Sequence, residues 1–260
     1  MSEDTKTSDE EEALEETTLL SHLVELRGRL LKIAAAVLLV FFALIPWARN
    51  IFALVSEPLR EVLPGNTMIA TAVASPFLTP FKLTFFVALF IAMPIVLYQA
   101  WAFVAPGLYK KEKRFAIPLL ASSILLFYLG IAFAYYVVFP LVFGFFTAVA
   151  PEGVEVQTDI SLFLDFITTI VFAFGLAFEV PIATVLVVWT GLTTPEKLGK
   201  ARPYVFLGAF VVGMFLTPPD VISQTLLAVP IYLLYELGIL MAKIFANKEE
   251  DPDDDAQAAE

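Results

Sequence analysis

The sequence predicts an all-α polytopic membrane protein of six transmembrane helices in a curved bundle, with both termini in the cytoplasm. Three observations carry this. The 260-residue chain is 59% hydrophobic with a mean hydropathy of +0.81, beyond what a soluble surface tolerates. Apolar runs recur at the length of about 20 residues that a helix needs to cross a hydrocarbon core of about 30 Å. Basic residues also gather in alternate connections, as the positive-inside rule requires.

The chain opens on an acidic stretch. Residues 1–16 hold eight acids and residues 248–260 hold seven, against Lys6 and Lys248 alone, so the net charge of −11 resides in the two ends. They read as solvated, disordered tails (1–18 and 247–260) flanking a membrane domain over 19–246. The spans are expected at about 28–48, 76–104, 116–147, 161–190, 203–217 and 221–244. The fifth is short and should thin the bilayer or depend on its neighbours. Thirteen of the 16 basic residues lie at the N-terminal flank and entry of the first span, in the second and fourth connections, or at the C-terminal end of the sixth span and beyond it. The first connection and its edges hold only Arg49, Arg60 and Lys82. In that connection, WARNIFALVSEPLREVLP reads as a short amphipathic helix on the outer face, broken around Pro58. Pro94, Pro118, Pro140, Pro181 and Pro230 interrupt the spans, and each frees a carbonyl and bends its helix, giving a cupped bundle.

Cysteine is absent and histidine occurs once, which excludes disulfides and thiolate nucleophiles and argues against a His-rich metal site or an intramembrane serine–histidine protease. A second deep aspartate for a paired-aspartate protease is missing, and so is a GxxxxGK[ST] loop for ATP hydrolysis. No cofactor is expected, and no catalytic residue.

LLSHLVELRGRLLK reads as an amphipathic helix entering the first span, with His22, Glu25 and Arg29 on one flank. Its bland reading is a surface Glu25–Arg29 pair worth about 0.3 to 0.5 kcal/mol. Glu112 lies among Lys110, Lys111, Lys113 and Arg114, after the aromatic exit YQAWAFVAPGLY. It either tempers a basic loop or, with Glu25 on the same face, receives a guanidinium, whose planar fork matches a carboxylate as an ammonium does not. Glu179 is the one carboxylate deep within an apolar run. Its insertion costs about 2.5 to 3.5 kcal/mol, so it should face a cavity or partner, or a hydrogen bond inside the bundle. A proton or cation transporter using Glu179 is the rival class, but no second ionisable group lies at comparable depth for a relay. Lys82 and Asp165 are expected to snorkel to the interface, and Glu236 is left without a clear place. Asp220 should cap the sixth helix after Pro218 and Pro219, and Thr217 and Gln224 offer hydrogen bonds to an incoming helix.

HLVELRGRL, SEPL, MIATAVASPF, YQAWAFVAPGLYKKEKR, FGLAFEVP and GAFVVGMFLTPPDVISQTLLA together resemble the TatC family, the core of the twin-arginine protein translocase, in order and over almost the whole chain. The resemblance implies a glove-shaped bundle in the bacterial cytoplasmic (inner) membrane. It also implies a receptor for twin-arginine signal peptides of folded precursors, using Glu25 and Glu112 with Phe103, His22 and Leu23 shaping the site. Glu179 is then the acid facing the concavity. Met214, Thr217 and Gln224 match the patch where the single-span partners TatA and TatB dock, while Pro58, Pro94 and Asp220 match structurally or functionally sensitive positions. Self-association in a multi-copy complex is implied; nucleic acid is not a partner.

Overall fold

The computed structural model describes residues 4–62, 68–104, 116–149, 157–216 and 221–247, and among them the regular elements are all helices, joined by turns and short extended segments, with one isolated bridge between Ile69 and Asp159. Helix α1 runs Asp4–Leu44. The acidic stretch expected as a disordered tail is therefore helical from Asp4. Its five glutamates after Asp4 are good helix formers, and Asp4 sits at the positive end of the helix dipole. The C-terminal tail beyond 247 lies outside the described residues. A 3₁₀ turn, Ile45–Trp47, with Pro46 inside it, leads into α2, Ala48–Val62. The expected break at Pro58 is absent: α2 continues through it to Val62. A proline removes only its own rung, and the turns on either side still hold.

The second apolar run is two helices, α3 (Ser75–Ile91) and α4 (Met93–Val104), bent by 50° at Ala92. Pro94 causes the bend. Its ring has no N–H for the carbonyl four residues back, that of Phe90, and this oxygen is satisfied instead by the Tyr128 hydroxyl at 3.0 Å. Tyr128 lies on α5, Ala116–Phe133, which continues through a π turn at Ala134–Val138 into α6, Phe139–Val149. In that turn the Phe139 N–H bonds to the Ala134 carbonyl, an i→i−5 contact beside Pro140, where the regular ladder is interrupted.

The fourth run is again divided, into α7 (Ile160–Ala177) and α8 (Val180–Trp189), with Phe178 and Glu179 between them and Pro181 in the first turn of α8. A short α9 (Pro195–Lys200), capped by Thr194, precedes α10 (Arg202–Leu216) and α11 (Val221–Asn247). Among the described residues four stretches are long and apolar enough to cross a membrane: Leu23–Glu57, Ile117–Val149, Ile160–Trp189 and Gln224–Ile244; the bent α3–α4 pair makes a fifth. Helix α10 is apolar but shorter. The chain is a multi-pass membrane protein.

The helices touch where side chains are smallest. A Cβ on Gly130 of α5 would stand 2.5 Å from the Phe174 carbonyl oxygen, and one on Gly175 of α7 would stand 2.6 Å from the Phe127 ring, so α5 and α7 approach backbone to backbone at the first point and backbone to ring at the second. Gly238 of α11 likewise lies against Thr184 and Pro181 of α8. Phe127, Phe174, Ile170, Val142 and Leu227 are fully buried around these contacts.

Candidate functional site

Two polar ends and one internal carboxylate organise the molecule. At one end α1 meets the exit of α4. The Arg29 Nε donates to Glu25 Oε1 at 3.0 Å, and Nη2 donates to the same oxygen. Nη2 also donates to the Ala102 carbonyl at 2.9 Å, and Nη1 to Gln99 Oε1 at 3.4 Å. The Glu25–Arg29 pair is therefore more than a surface ornament of one helix. It ties α1 to the last turn of α4, immediately before the half-buried Phe103. Trp101, from the same turn, is buried in an apolar cluster with Leu119, Ile182, Val185, Trp189 and Ala242, which fixes the end of α4 against α5, α8 and α11. The aromatic exit is thus partly core. Leu23 is exposed two residues before Glu25. His22 lies on α1 but outside the described side chains, and Glu112 falls in 105–115, outside the described residues.

Deep in the bundle, Ser123 of α5 donates its hydroxyl to Glu179 Oε2. Glu179 Oε1 is buried with no hydrogen-bond partner among the described residues. The break between α7 and α8 gives this carboxylate its position, because Glu179 is the residue at which the second helix begins. Ser123, 1% exposed, was missed by sequence reasoning; a serine in an apolar span signals nothing about the partner 56 residues away that it meets.

At the other end, residues 68–75 lie across the start of α7. The Ile69 N–H donates to the Thr158 carbonyl at 3.1 Å and the Ile160 N–H to the Ile69 carbonyl at 2.9 Å. Asp159 caps α7, accepting from the N–H groups of Ser161 (2.8 Å) and Leu162 (3.2 Å) on Oδ1. Its Oδ2 accepts from the Thr71 N–H and hydroxyl, both at 2.7 Å. Led by the Thr71 hydroxyl, these donors hold the carboxyl at about 2, below its usual 3.8. Ser75, Thr79 and Ser161 extend the cluster through their hydroxyls. The sequence reading passed over Asp159, although an aspartate directly before an apolar helical run is a capping signal.

Two further ion pairs join helices, Lys82 with Asp165 and Arg202 with Glu236. Lys82 and Asp165, expected to snorkel individually, form an ion pair between α3 and α7. Each is within two turns of the start of its helix, so the partners face one another across the helix contact. Glu236 takes the fork of Arg202, Nε to Oε1 at 2.7 Å and Nη2 to Oε2 at 2.8 Å, with the Tyr232 hydroxyl donating to Oε1 at 2.8 Å. Gln224 donates its amide to the Phe210 carbonyl at 2.7 Å, and its stem packs on Gly213. Met214 is exposed on α10, Pro94 is half-buried at the α3–α4 bend, Pro58 lies in α2 outside the described side chains, and Thr217 and Asp220 lie outside the described residues.

The family profile described as Sec-independent protein translocase protein (TatC) matches residues 21–230, which include these clusters except for Tyr232, Glu236 and Ala242. The chain belongs to the TatC family. Among its TatC relatives, the Sec-independent protein translocase protein TatC of Azotobacter chroococcum is 60% identical over 233 residues, covering 89% of this chain and 91% of that one. The TatC protein of Escherichia coli is 56% identical over 231 residues, covering 88% and 90%. A crystal structure of a protein described as the twin-arginine translocase receptor TatC superposes with a TM-score of 0.77 at 37% identity, over 86% of this chain and 98% of that one. As a TatC-family protein the chain is a component of the Sec-independent protein translocase, and it therefore works with protein partners.

Proposed function

We propose that the chain is the receptor and core subunit of the twin-arginine translocase in the bacterial cytoplasmic (inner) membrane, with six spans in a glove-shaped bundle and both termini inside. In this reading α10 is the fifth span, and the end of the molecule carrying Arg29, Ala102 and Trp101 faces the cytoplasm. Glu25 and Glu112 each receive one guanidinium of a twin-arginine signal peptide, beside His22, Leu23 and Phe103. Glu179 faces the concavity, TatA and TatB dock at Met214, Thr217 and Gln224, and Pro58, Pro94 and Asp220 keep the surrounding frame in shape.

One observation carries most of the support. The hydrogen bond from Arg29 to Ala102 brings Glu25 beside the exit of α4, from which the chain leads to Glu112. In this reading Glu112, eight residues after α4 ends at Val104, serves the same end of the molecule as Glu25, as recognition of two adjacent arginines requires. Loss of either acid strands a guanidinium and should cost about 1.5 to 3 kcal/mol, roughly tenfold or more in affinity. The test is site-specific crosslinking in membranes between a twin-arginine signal peptide and the wild type, Glu25→Ala, Glu112→Ala and the double variant, with a twin-lysine peptide as control. Crosslinking is expected to fall with each acid and with the lysine peptide; undiminished crosslinking in the double variant removes the receptor assignment.

A further inference from the structure

Glu25 already holds a guanidinium, and it belongs to the protein itself. Arg29 Nε and Nη2 converge on Oε1, while Oε2 receives no hydrogen bond from a described residue. The Arg29 side chain is 18% exposed against 39% for Glu25, so the carboxylate stands in front of its guanidinium. Behind it, the Ala102 carbonyl and the amide oxygen of buried Gln99 accept from the same guanidinium.

This arrangement bears on selectivity. A guanidinium differs from an ammonium in presenting two parallel N–H groups to two carboxylate oxygens. With Oε1 filled only Oε2 is open, and a lysine can meet a single oxygen as well as an arginine can. The two-oxygen fork becomes available when Arg29 leaves Oε1. Ala102 and Gln99 continue to hydrogen-bond the displaced guanidinium after it leaves the carboxylate.

We propose that Arg29 is an internal place-holder at Glu25, a guanidinium of this chain that an arginine of the ligand displaces. The inference rests on the reading of Glu25 as an arginine-binding acid. The resting site is neutral and closed, and a ligand opens it only by forming a better fork than the one it removes. An ammonium, which offers no fork, displaces Arg29 poorly. When the ligand departs, Arg29 returns from its two standing acceptors without a conformational search.

The experiment uses the full chain in lipid nanodiscs and a fluorescent peptide bearing two consecutive arginines, or two lysines, read by anisotropy in the wild type, Arg29→Gln, Glu25→Gln and the double variant. Arg29→Gln retains an amide donor near Ala102 but clears Oε1. The arginine peptide is expected to bind it about tenfold more tightly, and that gain is expected to vanish when Glu25 is also replaced. Misfolding cannot produce tighter binding. Equal or weaker binding to Arg29→Gln, with Glu25→Gln still weakening binding, overturns the place-holder and leaves the receptor reading intact; a gain that persists without Glu25 overturns it too. Binding insensitive to Glu25→Gln in both backgrounds overturns the receptor reading itself. If Arg29→Gln does not fold, Arg29→Lys decides: its weaker grip on Oε1 should give a smaller gain of the same sign, and wild-type or weaker affinity overturns the proposal.

Discussion

At the scale of single residues, Asp159 has the most directly testable chemistry. Four donors hold its folded-state carboxyl at about 2, below the usual 3.8, so the native state binds fewer protons than the unfolded chain as pH falls through that interval. The sign follows: the contribution of Asp159 is complete above about pH 4 and declines as pH falls from about 4 towards 2. Thermal unfolding in detergent should show a melting temperature that Asp159→Asn lowers at pH 7, with the difference between the two proteins narrowing below pH 4. A constant difference down to pH 2.5 would mean that Thr71 and the α7 N-terminus do not distinguish the charged carboxylate from the amide. Residue-level chemistry was partly legible beforehand. Glu179 stands out in any apolar run, and Glu25 and Arg29 are one turn apart. The partners were illegible, because Ser123 and Glu179, Lys82 and Asp165, and Arg202 and Glu236 lie 56, 83 and 34 residues apart and meet only once the helices pack.

At the scale of elements, each apolar run was visible by hydropathy, but the breaks within two of them were not. Ile91 and Met93 belong to different helices, and so do Ala177 and Val180, although nothing in their hydropathy changes. Prolines 94 and 181 signalled a bend and left its size open. Proline 58 signalled a break that does not occur, since one missing rung does not end a helix whose neighbouring turns remain bonded. The α3–α4 bend depends on help from α5: Tyr128 donates to the Phe90 carbonyl that Pro94 leaves bare. In lipid no water replaces that donor. Tyr128→Phe should therefore destabilise the fold by about 1 to 3 kcal/mol, measured by denaturant or thermal unfolding in bilayer mimetics. A wild-type stability would show that the carbonyl finds another donor.

At the scale of the whole molecule, the helices do not match one bilayer thickness. Helix α10 has 15 residues, which at 1.5 Å each give about 22 Å against a hydrocarbon core of about 30 Å. The sequence announced this shortness; it did not announce that α10 would be braced along α11 by Gln224 on Phe210, and at its first residue by Arg202 on Glu236. On the proposed six-span reading, a short span fastened to a long one makes the surrounding lipid adapt. Reconstituted into phosphatidylcholine vesicles of 14-, 18- and 22-carbon chains, the protein should unfold at progressively lower temperature as the chains lengthen. An unchanged midpoint would show that the short helix imposes no mismatch.

The bend at Ala92 has a mechanical meaning. Above it, α3 starts beside the Asp159 clamp and is pinned to α7 by Lys82; below it, α4 is riveted at Trp101 and Arg29. One span is thereby divided into two levers with separate moorings and an elbow between them. A load applied at the Arg29 end swings the lower lever about the elbow before it strains the upper one, which stays moored to α7 through Lys82 and Asp165.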